Sequence, residues 1–294
     1  MTDSVRLDDR LTEYWGGITW ARPIGDRFGI GISTFVASRN HRGFAQRNFT
    51  AVGENDDVAV VLKTNDYKYS HWRIVWKLGA GTRLQGWDLG TTLTLPGVSL
   101  GGSGRVAVDD ISLGVSETPT VLSLVQQDLE ANYESPLSVA AGGSRTFGES
   151  RVHLTVEWFA PLDLYNIIEA QPVQVATGDI VVDPSLREQA GGVVNAAVGF
   201  EHRFNAEVTG YTSLSTDQSS AVEGSFPNAD FTQWNILHLA SGATFSTGST
   251  DFTLGLVAAF GTSQVVPQIS AQDFNSGYRQ LTLILGCSFP FGSL

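Results

Sequence analysis

Apolar residues recur at every second position along most of this chain, and that period decides what it can fold into. In RVHLTVEWF, Val152, Leu154, Val156 and Trp158 alternate with Arg151, His153, Thr155 and Glu157, the pattern of a strand with one apolar face. In WRIVWKLGAGT, Trp72, Ile74, Trp76, Leu78 and Ala80 share one parity, and in DFTLGLVAAFG so do Phe252, Leu254, Leu256, Ala258 and Phe260. The same reading at 11–22, 27–38, 86–96, 128–146, 192–203, 206–214, 233–246 and 277–291 brings the expected strands to eleven. Several reach ten residues, long against a usual strand of about five or six. Helical periodicity is almost absent; LDLYNIIEA (162–170) is expected to form a short turn or two inside a loop.

The connections sharpen the picture. Tight turns fall at GDR (25–27), LQG (84–86), GE (148–149), FNA (204–206) and TGST (247–250). Between them lie long polar stretches at 39–71, 97–127, 161–191, 215–232 and 263–276. Strict alternation of short and long connections is the habit of outer-membrane barrels, with short turns on the periplasmic side and long loops outside. An antiparallel transmembrane β-barrel is therefore the expected fold, as one domain over 1–294, with 1–10 carrying no recognisable structure. DVAVVLKTNDY (57–67) looks like a strand, but counting it would break the alternation, so it is assigned to the long loop.

Composition agrees. Charged residues are 16% of the chain, against roughly 25% in soluble domains. A net charge of −12 excludes nucleic acid as a partner, because phosphate binding needs clustered cations. The one cysteine, Cys287, rules out an internal disulfide. No apolar run approaches the ~20 residues of a membrane helix, whereas a tilted strand crosses with about 9–11.

Barrel geometry assigns the polar parity to the lumen. Arg73, Lys77, Arg151, His153, Glu157, Glu201, Glu207 and Tyr211 are the expected lumen-facing residues and the candidates for substrate contact. The aromatic residues near strand ends, Tyr14, Trp15, Trp72, Trp87, Trp158, Trp234 and Tyr278, are candidates for interfacial girdles. Catalytic signals are thin. GVSLG (97–101) matches G-x-S-x-G, but the adjoining GSGRVAVDD cannot open the helix that a nucleophile elbow needs. The five histidines show no metal-binding spacing. Paired carboxylates such as Asp109 and Asp110 read as loop charges. No enzyme, metal or cofactor is expected.

Taken together, several segments resemble a known family. YWGGITWARPIGDRFGIGISTFVASRNHRGF (14–44) is similar to the second and third strands of FadL-type outer-membrane transporters of long-chain fatty acids and other hydrophobic compounds. GWDLGTTLTLPGVSLGGSG (86–104), YESPLSVAAGGSRTFGESRVHLTVEWF (133–159) and VVNAAVGFEHRFNAEVTGYTSLSTD (193–217) resemble later pieces of the same family in the same order. The resemblance implies a fourteen-strand barrel in the bacterial outer membrane, preceded by a signal peptide and an N-terminal hatch. Neither piece is recognised here, nor is the first strand or a hairpin near 45–66, so the N-terminus reads as cut. The family's third strand has a glycine kink, but the corresponding stretch, Ala37–Gly43, carries Arg39, and lateral release is not expected.

Gly286, Phe289 and Phe291 match the G-x-x-aromatic-x-aromatic ending by which barrels are recognised for assembly. The expected partners are outer-membrane lipid, lipopolysaccharide, the barrel-assembly machinery and a hydrophobic small molecule. The leading expectation is passive uptake of fatty acids or other hydrophobic compounds. A general diffusion porin or structural barrel is the alternative, and a soluble all-β binding protein stands third.

Overall fold

The structure, a computed structural model, describes residues 1–53, 57–115, 119–175, 181–222, 234–265 and 274–289. Among these residues seventeen strands are formed: β1 (Thr2–Ile24), β2 (Phe28–Val52), β3 (Val58–Leu84), β4 (Trp87–Thr94), β5 (Val98–Leu113), β6 (Thr120–Glu130), β7 (Ser138–Phe147), β8 (Ser150–Phe159), β9 (Leu162–Ile168), β10 (Val173–Gln174), β11 (Val181–Val182), β12 (Leu186–Ala190), β13 (Val193–Arg203), β14 (Val208–Asp217), β15 (Asn235–Thr247), β16 (Thr250–Val265) and β17 (Phe274–Ser288). One antiparallel sheet runs β1-β2-β3-β4-β7-β8-β13-β14-β15-β16-β17, with β5 and β6 attached beside β3. Those eleven strands on the path correspond to the eleven read from the alternation, except that 131–137 of the expected strand 128–146 belong to no strand, and four of the five short turns fall where the sequence places them.

Period two sorts the two faces of this curled sheet. On β2, Phe28, Ile30, Ile32, Thr34 and Val36 point outward; Gly31, Ser33, Phe35, Ala37 and Arg39 alternate with them and point inward. Beyond Val36 the outward positions turn polar, at Ser38, Asn40 and Arg42. The ladder carries one parity from strand to strand: outward Leu254 lies opposite Leu285, and Leu256 opposite Leu283. Leu281, Leu283 and Leu285 are 61–73% exposed. In water such a face would be a large apolar patch without a partner; in a bilayer it is the lipid face.

Aromatic side chains mark both margins of this band. Trp87 and the outward pair Phe245 and Phe252 lie near the short turns, and Tyr14 and Trp72 flank Ser38 at the other margin. From Phe28 to Ser38 the strand rises about 3.4 Å per residue, which at a tilt of 35–45° gives a band roughly 25 Å tall.

Three expectations on strand extent are corrected. Residues 1–10 are not structureless: β1 starts at Thr2 and pairs with β2 in unbroken register. Residues 57–67 are strand, because β3 runs 27 residues and its upper part pairs with β2 on one side and β5 on the other. This hairpin fills the stretch near 45–66. The loop expected at 97–127 is largely β5 and β6, and Asp110 pairs there with Lys63 at 3.1 Å. The alternation is preserved all the same, since β5 and β6 extend the wall above β4 and β7 and add no crossing of the band.

The wall above the band is lined from inside. β9 and β12 pair with each other, against the expectation of a helical turn at 162–170. Ile167, Ile168, Ala170 and Leu186 from this layer pack on Tyr67, Tyr69, Val106 and Ala131 of the wall. A second cluster joins Leu122 and Leu124 to Val175. β2 itself is continuous, with no kink at Ala37–Gly43. The interruption lies elsewhere. Between Thr94↔Ser138 and Ser103↔Glu130 the ladder lapses, so residues 95–102 and 131–137 face each other with little pairing.

Candidate functional site

The inward faces of β1, β2 and β3 carry a row of charged and aromatic side chains. Glu13 on β1 lies opposite Arg39 on β2, and Ala37 lies opposite Arg73 on β3. Glu13 accepts from Arg39 Nη1 through Oε2 at 3.1 Å and from Arg73 Nη2 through Oε1 at 2.7 Å. One carboxylate thus serves two guanidinium groups, and Arg73 is 2% exposed. Arg39 Nε also donates to Tyr69 Oη at 3.0 Å. Arg73 Nε and Nη1 and His71 Nδ1 are buried without a hydrogen-bond partner. A buried charge so incompletely paired is costly, and it leaves a positive potential on this wall.

Rings interleave with the cations. Lys77 Nζ lies 5.4 Å from the Trp15 ring centre, and the Arg73 guanidinium carbon 5.7 Å from the same ring. Arg73 is also 5.0 Å from the Tyr133 ring, which lies 3.8 Å from Arg39. Lys77, Trp15, Arg73, Tyr133 and Arg39 therefore form a track along the inward face. Each step is within the ~6 Å at which a ring quadrupole attracts a cation.

Two further hollows lie on the same face. Gly29, Gly31, Gly79, Gly81 and Gly90 help to line a shallow concavity of about 620 Å³ near the short turns. His153, Glu201 and Tyr211 help to line a second of about 290 Å³, with His153 Nε2 3.8 Å from Glu201 Oε2. Three of the residues selected from the sequence are brought together there. The Tyr211 hydroxyl donates to the Leu254 carbonyl at 3.4 Å; a Cβ on Gly242 would lie 2.5 Å from that hydroxyl, so the site needs glycine.

The other candidates are spread over the wall. Arg73 and Lys77 join the track. Arg151 donates to Asp88 and Ser144 at 2.8 and 2.7 Å, and Glu157 accepts from Ser138 Oγ at 2.8 Å; both are engaged by neighbours within the wall. Glu207 is a correction: it sits in the connection before β14, because the 204–207 turn is longer than FNA suggests. Gly286 lies opposite Thr253 on the inward parity and Phe289 is exposed, while Phe291 falls outside the described residues. Among the girdle candidates, Trp15 and Tyr278 point inward, since they share parity with Ala37 and Gly261. Trp234 packs on Tyr278.

GVSLG does bring Ser99 to a histidine: Ser99 Oγ is 2.8 Å from His71 Nε2. The elbow is absent, because Val98 opens a strand. Among the described residues no carboxylate orients His71, whose Nδ1 is unpartnered. Its neighbours on the inward face are Arg39 and Arg73, which oppose the imidazolium that nucleophile activation requires.

Sequence reasoning missed Glu13, Arg39 and Tyr133. The signal was available for the first two: Glu13 shares parity with Trp15, and Arg39 continues the inward parity of β2. Tyr133 had none, since its position depends on the lapse between β6 and β7.

No protein-family model and no curated protein matches the sequence. Solved structures do. The fold superposes on the CymD monoaromatic hydrocarbon channel over 99% of this chain and 88% of that one, with TM-score 0.52 at 13% identity. It superposes on the toluene transporter TodX of Pseudomonas putida over 98% of this chain and 88% of that one, with TM-score 0.53 at 14% identity. At such identities the likeness establishes the fold alone, an all-β antiparallel architecture of the kind the alternation implies.

Proposed function

We propose that this chain is an outer-membrane β-barrel channel that admits hydrophobic compounds passively. The observation that carries the reading is the sorting of one continuous sheet into two faces. The outward face is apolar over a band the height of a bilayer core, and the inward face is built mainly from small, hydroxyl and charged residues, with rings such as Phe35 and Trp15 among them. A monoaromatic hydrocarbon channel and a toluene transporter share the fold, which supports hydrophobic solutes as the cargo. No catalytic step is assigned. Transport follows the solute gradient, and transient burial on the inward face contributes about 0.8 kcal/mol per methylene.

The chain acts as a single barrel unit. Lipid contacts the band, and lipopolysaccharide contacts the polar outward crest at Ser38, Asn40 and Arg42. The β17 end, with Gly286 and Phe289, engages the assembly machinery. The inward wall residues Arg73, Lys77, His153, Glu201 and Tyr211 are proposed to touch the solute. A general diffusion porin is disfavoured by the apolar-cored layer of β9 and β12, which fills space that an aqueous pore would keep open.

Proteoliposomes carrying the protein test the reading. A hydrophobic solute such as toluene or a fatty acid is expected to enter faster than in protein-free vesicles, while small sugars are not. Permeability to sugars without any gain for hydrophobic solutes would overturn it. Loss of heat-modifiable gel migration, or solubility without detergent, would remove the barrel itself.

A further inference from the structure

Tyr133 is an aromatic ring held in a cradle of cations at a break in the wall. Its segment, 131–137, connects β6 to β7 in the stretch where the ladder lapses. The segment is tied to the inner layer: Asn132 N donates to the Ile167 carbonyl at 2.8 Å, and Glu134 N donates to the Tyr165 hydroxyl at 3.2 Å. Between those ties the segment joins no ladder, and Tyr133, packed on one side against the Tyr67–Ile168 cluster, keeps part of its surface uncovered.

The cradle has the chemistry of a ring site. Arg39 lies 3.8 Å from the Tyr133 ring centre and Arg73 5.0 Å from it. Both guanidinium groups are largely withdrawn from water, the condition under which a cation attracts a ring most strongly. Their charge is only half offset, because Glu13 is shared between them. Two nitrogens of Arg73, Nε and Nη1, make no hydrogen bond; only its Nη2 is engaged, by Glu13. Trp15, on the far side of Arg73 and 43% exposed, presents a second ring on the approach from Lys77.

We propose that Arg39 and Arg73 form a binding site for small aromatic rings, and that Tyr133 occupies it as a tethered internal ligand which an arriving aromatic solute displaces. The inference rests on the uptake reading and narrows its cargo to rings. Saturated hydrocarbons of equal size have no quadrupole to offer and do not compete. Tyr133 is thus a specificity-setting residue: it raises the threshold for aromatic entry and keeps the two cations covered when no solute is present.

The test measures toluene and methylcyclohexane binding to the detergent-solubilised protein, as wild type, Tyr133→Ala and Tyr133→Phe. Tyr133→Ala is expected to bind toluene about fivefold more tightly, in line with a desolvated cation–ring contact, with methylcyclohexane unchanged. Tyr133→Phe, which keeps a ring, is expected to match wild type, and that match also shows that the segment still folds. Equal gains for both solutes in Tyr133→Ala would overturn the proposal, since they would report only vacated space. Unchanged toluene binding in Tyr133→Ala would overturn it as well. Failure of the uptake reading is separate: wild-type vesicles that admit no hydrophobic solute defeat that reading, even where Tyr133→Ala shows the selective gain.

Discussion

Glu13 and Arg73 meet across an intervening strand: Glu13 Oε1 on β1 accepts from Arg73 Nη2 on β3 at 2.7 Å, over the inward face of β2. The contact closes over Ala37, the residue opposite both Arg73 and Trp15, whose small side chain leaves the pair room to meet. Glu13→Gln removes the one carboxylate that two buried guanidinium groups share. Breaking a buried pair costs about 3–5 kcal/mol, and because Glu13 is partly exposed the lower end applies. A correspondingly lower midpoint in urea-driven unfolding from lipid vesicles is the expected result. A Glu13→Gln, Arg73→Met double variant is expected to recover part of the loss, since it leaves no second uncompensated charge.

The assignment of faces predicts opposite outcomes for neighbours on one strand. Leu283→Arg, opposite Leu256 and deeper in the lipid band than the Phe252 margin, is expected to cost about 2–4 kcal/mol. Thr282, opposite Val257 on the inward parity, is expected to accept arginine with less than about 1 kcal/mol of loss. Folding titrations into bilayers of one lipid compare the two directly, and equal costs would contradict the face assignment.

The inner layer has an alkaline limit. Burial, reinforced by Glu188 nearby, raises the Tyr165 hydroxyl above its ordinary range. The sign comes from linkage: the neutral phenol is favoured in the folded layer, so its contribution is complete below the unfolded pKa of about 10 and is lost as pH rises toward the folded value. Ultraviolet titration of tyrosinate should show late ionisation, with loosening of β9 and β12 above about pH 10. Tyr165→Phe removes this dependence and loses the hydrogen bonds to Glu188 and Glu134, at about 1 kcal/mol each.

At acid pH the corresponding group is Asp183. Burial acts against its charge, but Ser185, through both backbone and hydroxyl, and Arg187 hold its carboxyl below the usual range. Its contribution is therefore present above the ordinary carboxylate pKa of about 4 and disappears as pH falls through the lower folded value. Asp183→Asn should flatten the acid limb of layer stability, monitored by amide exchange at Ser185.

Ile168, fully buried between the layer and the wall, is the packing test. Ile168→Ala is expected to cost about 2–4 kcal/mol and to raise sugar leakage in vesicles, as the layer loosens from Tyr69 and Val106.

The membrane-crossing wall was legible because its signal is local. A lipid face shows the same parity whichever strand lies beside it, so residues such as Leu254 and Trp72 announce themselves. The crest and inner layer were not. Residues 57–67 and 98–113 alternate less cleanly, because both of their faces are covered or wet, and loop rules discounted them. The pairing of Glu13 with Arg39 and Arg73 depends on register across three strands; the short GDR turn sets β1 against β2, and β3 is held against β2 by long-range pairing. Arg73 and Lys77 could be chosen from parity alone; Tyr133 could not, because it belongs to no strand.

The change of partner along β3 has a structural consequence of its own. From Lys77 to Leu84 its neighbour is β4, and from Val60 to Ile74 it is β5; Leu95–Gly97 between them absorb one extra residue, and a bulge at Leu100 opposite Arg73 and Trp72 absorbs a second. Because a one-residue slip exchanges the faces of a strand, the second extra residue restores the parity that the first one reverses. The crest therefore keeps the inward and outward parity of the band below it. Two residues of slack at this junction offset the upper storey from the span beneath without turning a wall residue round.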